Sequence, residues 1–590
     1  MAPKPIPLNV PPGFVMSDTP NAAQGRFTGG DKVRFEGRFA QKWSGWDLFY
    51  ATPLLGKARG SISWVNQYGN VNASFGTNIK LYAFIDGDTI NDITPVRSTG
   101  TINTDPFTTT NSSTTVQVTD TAHASIQGDY VTYSGATAVG GITIDGEYPV
   151  ATVIDANTYE IEHTSAATST ATGGGGSVNA EYQINVGTEG TVAGLGWGAG
   201  PWGEGTWSTA RTEGITIELR TWSLAEYGND LLANYLNGGL YLWEEATDAR
   251  AEVVTNAPTS IRAMFVTGER YVFLLGTSTP MTVQWPDQDD ITDYTPSASN
   301  SANIRTLQVG SKLMCGCAIG DGVSLVWSDA ALYVFQFTGS DFVYDSRVAA
   351  RNCGPIAQKA FDVANATAFW MSGSDFWMYS GGAQLVPNQD DIKKYVFGRL
   401  EVDHAGKTWC EYDELNNQMR WYYCSEGNSE PDSYVDVDLG TWAWTTGTHD
   451  RTTGCAFRDS ASQTSLRVDG SGYIYQHGVG VNADGAALES YLTFGLYTLA
   501  DGAAVVDIMG LVPDMKRQVG DLTYEVFTKD RPQSTSNYDE QTATLGPTDT
   551  IADLRVTGRH FGMTVRSNVV DGDYRFGIVA LEVQPAGTRR

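Results

Sequence analysis

From residue 221 to about 480 the chain returns to one pattern roughly every 35 to 45 residues: a short apolar strand, a Gly or Asp turn, and a strand ending in aromatic side chains. Instances are LLANYLNGGLYLWE at 231–244, RAMFVTGERYVFLLG at 262–276, SLVWSDAALYVFQFTG at 324–339, TAFWMSGSDFWMYSGG at 367–382 and SLRVDGSGYIYQHG at 465–478. That spacing fits one four-stranded antiparallel sheet per unit. A lone sheet of this kind leaves both faces wet, so the units must stack through their aromatic and β-branched side chains. Residues 27–97 carry similar short strands, as in IKLYAFIDG, where Ile79, Leu81, Ala83 and Ile85 alternate with Lys80, Tyr82 and Phe84 before an Asp86-Gly87 turn. The prediction is an all-β chain with a β-propeller core of six to eight blades, begun by 27–97 and continued by 221–484.

Composition agrees with many strands and tight turns. Gly numbers 65 of 590 and aromatics make up 11%, whereas charged residues are 18% against a usual 25% or so. The segment 98–185 differs from its flanks: from 98 to 210 there is no Lys or Arg but there are eleven acids. Its period-2 strands DYVTYSG, GITIDGEYPVATVID and NTYEIEH predict an inserted small β-sandwich or barrel on flexible linkers. A Pro-rich extended arm at 1–26 precedes the first strands, and a Gly/Trp-rich connector at 186–220 holds Trp197, Trp202 and Trp207, read as gap-filling indoles. Residues 485–590 leave the repeat but keep alternation in LTYEVFT and HFGMTVRS, which predicts a C-terminal β-domain.

The net charge of −29 opposes binding to DNA by phosphate neutralisation. No apolar run reaches membrane-spanning length, and MAPKPIPLNVPPG lacks the charged and apolar regions of a secretory signal. The six cysteines fall between 315 and 455, too sparse for a disulfide scaffold, and are expected as reduced thiols of a protein made in a cytosol.

Motifs of chemistry are weak throughout. Cys315 and Cys317 have no second pair at metal-like spacing, and the dispersed histidines form no HExxH. Ser374-Asp375-Phe376-Trp377 approaches a sialidase Asp-box without its glycine or spacing. Asp436-Val-Asp438 and Asp287-Gln-Asp289-Asp290 are fragments of calcium loops without the EF-hand order, and read as exposed turn carboxylates. No GxxxxGK[ST] motif occurs. No catalytic, cofactor-binding or metal-binding residue is therefore assigned. Two charged groups are singled out instead. The acidic turns Asp287, Asp289, Asp290 and Asp390, Asp391 each follow an aromatic strand, and are predicted at equivalent places on one propeller rim, either solvated on the outside or, as candidates, facing a channel. Lys516, Arg517, Arg555, Arg559, Arg566 and Arg575 concentrate basic charge near the C-terminus, where Arg589 and Arg590 add to it, as a docking surface for an acidic neighbour.

Read in order, several strings resemble the tail nozzle proteins of short-tailed bacteriophages, a family also called tail tubular or packaged-DNA stabilisation proteins. They are GDKVRF at 30–35 with Gly45-Trp46, Gly76-Thr77-Asn78 before Leu81-Tyr82 and Ile93-Thr94-Pro95, the Gly/Trp segment at 194–207, Val326 to Asp329 with Leu332-Tyr333, Asn352-Cys353-Gly354 to Phe369-Trp370-Met371, and the closing Arg555 to Arg559 and Arg575 to Gly577. The resemblance implies a homohexameric tube below the portal and its adaptor ring, carrying fibres, a needle or a tip, with no catalytic residues and no cofactor. It places the protein in the virion tail, assembled in the host cytoplasm. A ring of six such acidic chains would let double-stranded DNA slide past without specific binding. The alternative is a receptor-binding or glycan-cleaving tail protein.

Overall fold

The computed structural model describes residues 4–85, 89–196, 211–339, 343–459, 462–498 and 504–587. It is all-β and built largely of propeller blades, with one seven-residue α-helix, Lys393–Arg399, among the described residues. Trp197, Trp202 and Trp207, the Asp86-Gly87 turn, Arg589 and Arg590 lie outside the described residues. Two compact units divide the chain, Leu54–Gln308 and the remainder, Met1–Pro53 with Val309–Arg590.

In Leu54–Gln308, three four-stranded antiparallel meanders follow in chain order. Blade 1 starts with Ala58–Val65, blade 2 with Trp222–Tyr227 and blade 3 with Ala263–Val266. The first strands of consecutive blades lie side by side. Trp222 shows how blades join: it packs against Gly60 and Gly76 of blade 1, where a Cβ would come within 2.6 Å of its carbonyl oxygen at Gly60 and 2.3 Å of its ring at Gly76. Its indole N–H donates to the Thr77 carbonyl at 2.7 Å. A large aromatic thus fills the gap between blades while its polar end is satisfied on the neighbour.

Between blades 1 and 2 the chain builds an eight-stranded assembly, Val96–Thr101 to Asn179–Gln183. It has its own core, centred on Phe107, Val116, Val131, Tyr159 and Ile161. The ten-residue strand Gly146–Asp155 pairs with Tyr130–Ser134 through its first half and with Thr158–Glu162 through its second. Fixed joints take the place of the flexible linkers expected at its ends. The buried Lys80 ammonium bonds Asp92 at 2.8 Å and Glu147 of the inserted assembly at 2.7 Å, over the Tyr130 ring. On the outgoing side, Asp129 accepts from Asn185 and from the Val186 N–H, and Gly187 and Asn78 exchange hydrogen bonds.

The other unit holds four further blades, beginning with Leu313–Gly320, Phe361–Ala364, Trp409–Asp413 and Thr453–Asp459 (blades 4 to 7). Among the described residues the two units together hold seven such sheets. Blade 7 takes its fourth strand, Trp46–Tyr50, from near the N-terminus. Gly45 makes this possible, because its Cα lies against the 479–482 backbone. Cys315, Cys317, Cys410 and Cys455 sit on first strands, with Gly316, Ala318, Gly454 and Ala456. Small side chains suit strands that crowd against their neighbours. All six cysteines are free thiols, five of them buried, and burial pushes the Cys353 thiol up to about 11.

The remaining strands of this unit form three sheets, and here the expected boundaries at 26 and 27 are corrected. Lys4–Pro7, expected as an arm, pairs with Ala580–Gly587. Phe27–Asp31, Val33–Glu36 and Phe39–Lys42, expected in the propeller, instead join Ser490–Thr498 and Asp573–Phe576. The C-terminal domain is therefore completed by the first 42 residues. Phe27, Phe35, Phe494 and Phe576 meet in its core, with ring centroids 4.9 to 5.4 Å apart from one partner to the next.

Candidate functional site

The acidic turns do not occupy equivalent places. Asp287, Asp289 and Asp290 lie between the third and fourth strands of blade 3, whereas Asp390 and Asp391 follow the fourth strand of blade 5. In an up-and-down sheet these connections emerge at opposite ends. Each carboxylate is also engaged locally. Asp287 accepts from the Ser301 hydroxyl and N–H, and Asp290 from the Thr292 hydroxyl and N–H, which hold both below the usual carboxylate range. Asp289 pairs with Arg270 and Asp390 with Lys393. Asp391 anchors the N-terminal segment, since its carbonyl accepts from the Met16 and Ser17 N–H groups and its carboxylate bonds Arg26 at 3.4 Å.

The six basic residues divide among several places in the C-terminal domain. Arg555 is exposed on Ala552–Gly558, and Arg559 follows that strand and pairs with Asp530. Arg566 lies on His560–Ser567, held by Glu489 and Glu525 over the Tyr491 ring. Lys516, Arg517 and Arg575 come together on one sheet, ordered Val33–Glu36, Phe39–Lys42, Asp573–Phe576, Met515–Val519. They line an open groove of about 630 Å³ with Arg34, Glu36, Gln41 and Asp573.

A second charged cluster escaped the sequence reading because its members sit inside aromatic strands. Across blade 6 the register aligns Glu411, Arg420, Asp436 and Thr445 in one transverse row. Asp436, expected as an exposed turn carboxylate, is fully buried within the strand Ser433–Asp438, and Asp438 is nearly so. The Arg420 guanidinium bonds Asp436 at 2.9 Å and stacks 4.0 Å from the Trp43 ring, while Arg467 of blade 7 reaches Glu411 at 2.7 Å. Burial pushes the Asp436 carboxyl up, and the Arg420 fork and the Thr445 hydroxyl pull it back. Beside them His449 and His477 are buried among Arg451, Arg467 and Arg420, and burial holds both imidazoles neutral. The signal available in the sequence was a charge at an inward-facing position of each strand, as in QMRWYY and SYVDVD.

This cluster joins blades 6 and 7 to the segment at Trp43 and Trp46. The cavity at its edge has room for about 30 Å³, enough for one or two waters. Small-molecule sites are roughly tenfold larger. Among the described residues no group of three or more His, Cys, Asp or Glu is placed to hold a metal ion.

No protein-family model matches the chain, and no curated protein matches it. Solved structures resemble it distantly. Phage phi92 endosialidase is 12% identical, with 83% of this chain and 70% of that one covered and a TM-score of 0.23. The extracellular domain of a hybrid two-component system of B. thetaiotaomicron is 9% identical over 89% and 72%, with a TM-score of 0.32. PorZ, a surface component of the type-IX secretion system of Porphyromonas gingivalis, is 9% identical over 90% and 86%, with a TM-score of 0.29.

Proposed function

We propose that the chain is the structural tail nozzle protein of a short-tailed bacteriophage, a hexameric tube that extends the DNA exit channel, retains packaged DNA and conducts it during ejection. The observation that carries this reading is where the nozzle-like strings fall, which is at joints of the scaffold. Within GDKVRF, Asp31 and Lys32 bond Thr448 of blade 6, and the Lys32 N–H donates to the Tyr434 hydroxyl. Gly45 admits the 479–482 backbone beside the strand that completes blade 7, and a Cβ on Gly354 would lie 2.2 Å from the Asp329 carbonyl oxygen. Trp327 and Trp370 pack edge to face between blades 4 and 5, 5.4 Å apart. Residues spent on joints serve a conduit, whose work is geometric.

Charge supports the same reading. Buried charged side chains among the described residues include more cations than carboxylates, Lys80, Arg220, Arg420, Arg451 and Arg467 among them. The acidic excess therefore lies at accessible positions, where it repels phosphate. Native mass spectrometry with electron microscopy tests the reading: six copies around an axial opening are expected. A monomer or trimer that releases sugar from a bacterial surface glycan would replace it with the receptor-binding or glycan-cleaving alternative.

A further inference from the structure

Two transverse rows of charge cross sheets of this protein, and they follow opposite rules. The buried row in blade 6 alternates sign, Glu411, Arg420, Asp436. The row across the groove repeats one sign: Arg34 faces Gln41, Gln41 faces Arg575, and Arg575 faces Arg517. Like charges directly opposite one another destabilise a sheet. Two carboxylates answer three guanidinium groups there, Glu36 beside Arg34 and Arg575 at 3.9 and 3.6 Å, and Asp573 beside Arg517. A bulge between Met515 and Arg517 adds Lys516 to the same accessible margin. The Nε–H groups of Arg34 and Arg575 are shielded without an acceptor. Cationic charge is thus gathered on an open edge at a cost to the isolated sheet.

We propose that this groove docks an extended acidic polypeptide segment of another protein, with carboxylates at alternate positions. Neighbouring strands lie about 4.8 Å apart, so Arg34 to Arg517 spans roughly 14 Å. An extended segment places side chains of one face about 6.8 Å apart, so three alternate carboxylates cover the same span. Planar guanidinium forks match carboxylates two bonds at a time. Duplex DNA fits less well, because a rigid polyanionic rod meets the repulsion of a chain with net charge −29. The inference stands independently of the nozzle reading; under that reading the segment belongs to an adjoining tail protein.

The test is fluorescence anisotropy at low ionic strength with a labelled decapeptide alternating Glu and Thr, a matching Gln/Thr peptide, and a short DNA duplex. The full chain should bind the Glu peptide, weaken with added salt, and ignore the Gln peptide. Lys516→Glu with Arg517→Glu, on an exposed edge strand, should weaken binding by about tenfold or more while the near-ultraviolet dichroism stays that of the folded chain. Arg575→Gln provides a second variant with the edge strand intact. Equal affinity in both variants, no binding of the Glu peptide, or tighter binding of the duplex overturns the proposal.

Discussion

At the scale of single residues, the fold depends on atoms that are absent and on charges that are enclosed. A Cβ on Gly45 would sit 2.2 Å from the Asn482 carbonyl oxygen and 2.5 Å from its nitrogen, both backbone atoms that cannot swing aside. Gly45→Ala should cost about 2–3 kcal/mol, read as a fall in melting temperature. Gly268→Ala, with open space around the added carbon, is the control. The histidines set the response to acid. His449 and His477 stay neutral when folded, while in the unfolded chain each takes a proton as pH falls through about 6.5. Each therefore removes up to about 1.4 kcal/mol of stability per pH unit below that point. Asp362 works the other way, because burial raises its carboxyl to about 6. Its contribution is full below about pH 4 and is lost as pH rises to about 6. Between about pH 6 and 4.5 the two protons taken up by the unfolded histidines are offset by one from Asp362, so urea midpoints should fall with a net slope of about one proton, and His477→Gln should remove that proton and leave the profile nearly flat. None of this was legible beforehand: Asp436 and His477 look like turn and strand-end polar residues until the neighbouring blade is in place.

At the scale of elements, blades were the most readable feature, because all the strands of an ordinary blade are consecutive in the chain and each carries its own alternation. The inserted segment was marked by its lack of Lys and Arg, and its attachment was not. Lys80 appeared only as an outward position of an alternating strand, yet its side chain is 1% exposed between Asp92 and Glu147. Lys80→Met leaves two carboxylates facing each other. Since both remain about one-third exposed, the cost is expected near or below the low end for a broken buried pair, about 2–3 kcal/mol. The loosened joint should show as faster proteolytic cleavage near residues 92–97 and 183–188, with the inserted assembly itself intact. Unchanged cleavage there would mean that Asp129 and the Asn78–Gly187 bonds suffice to hold it. The basic cluster was readable as composition, but its useful part depends on register: Arg575 and Arg517 are 58 positions apart and become neighbours only through strand pairing.

At the scale of the whole molecule, the pairings that sequence reading missed are those between distant ends. Strand partners separated by more than 450 residues, such as Phe27–Asp31 with Ser490–Thr498, leave no local signature. Each of the three C-terminal sheets contains at least one strand from the first 42 residues. Deleting 4–42 should therefore expose Phe494 and Phe576, seen as increased binding of a hydrophobic dye and loss of near-ultraviolet dichroism. A deletion product that keeps its dichroism would show that the C-terminal strands form a core alone. The antiparallel pairing of Lys4–Pro7 with Ala580–Gly587 has a mechanical meaning as well. Lys4 faces Val583 and Pro7 faces Ala580, so tension applied outward at Lys4 and Val583 acts at one end of the paired stretch. Load falls on one rung at a time, as in opening a zipper, so this pairing yields to such tension more readily than it would to shear along the strands.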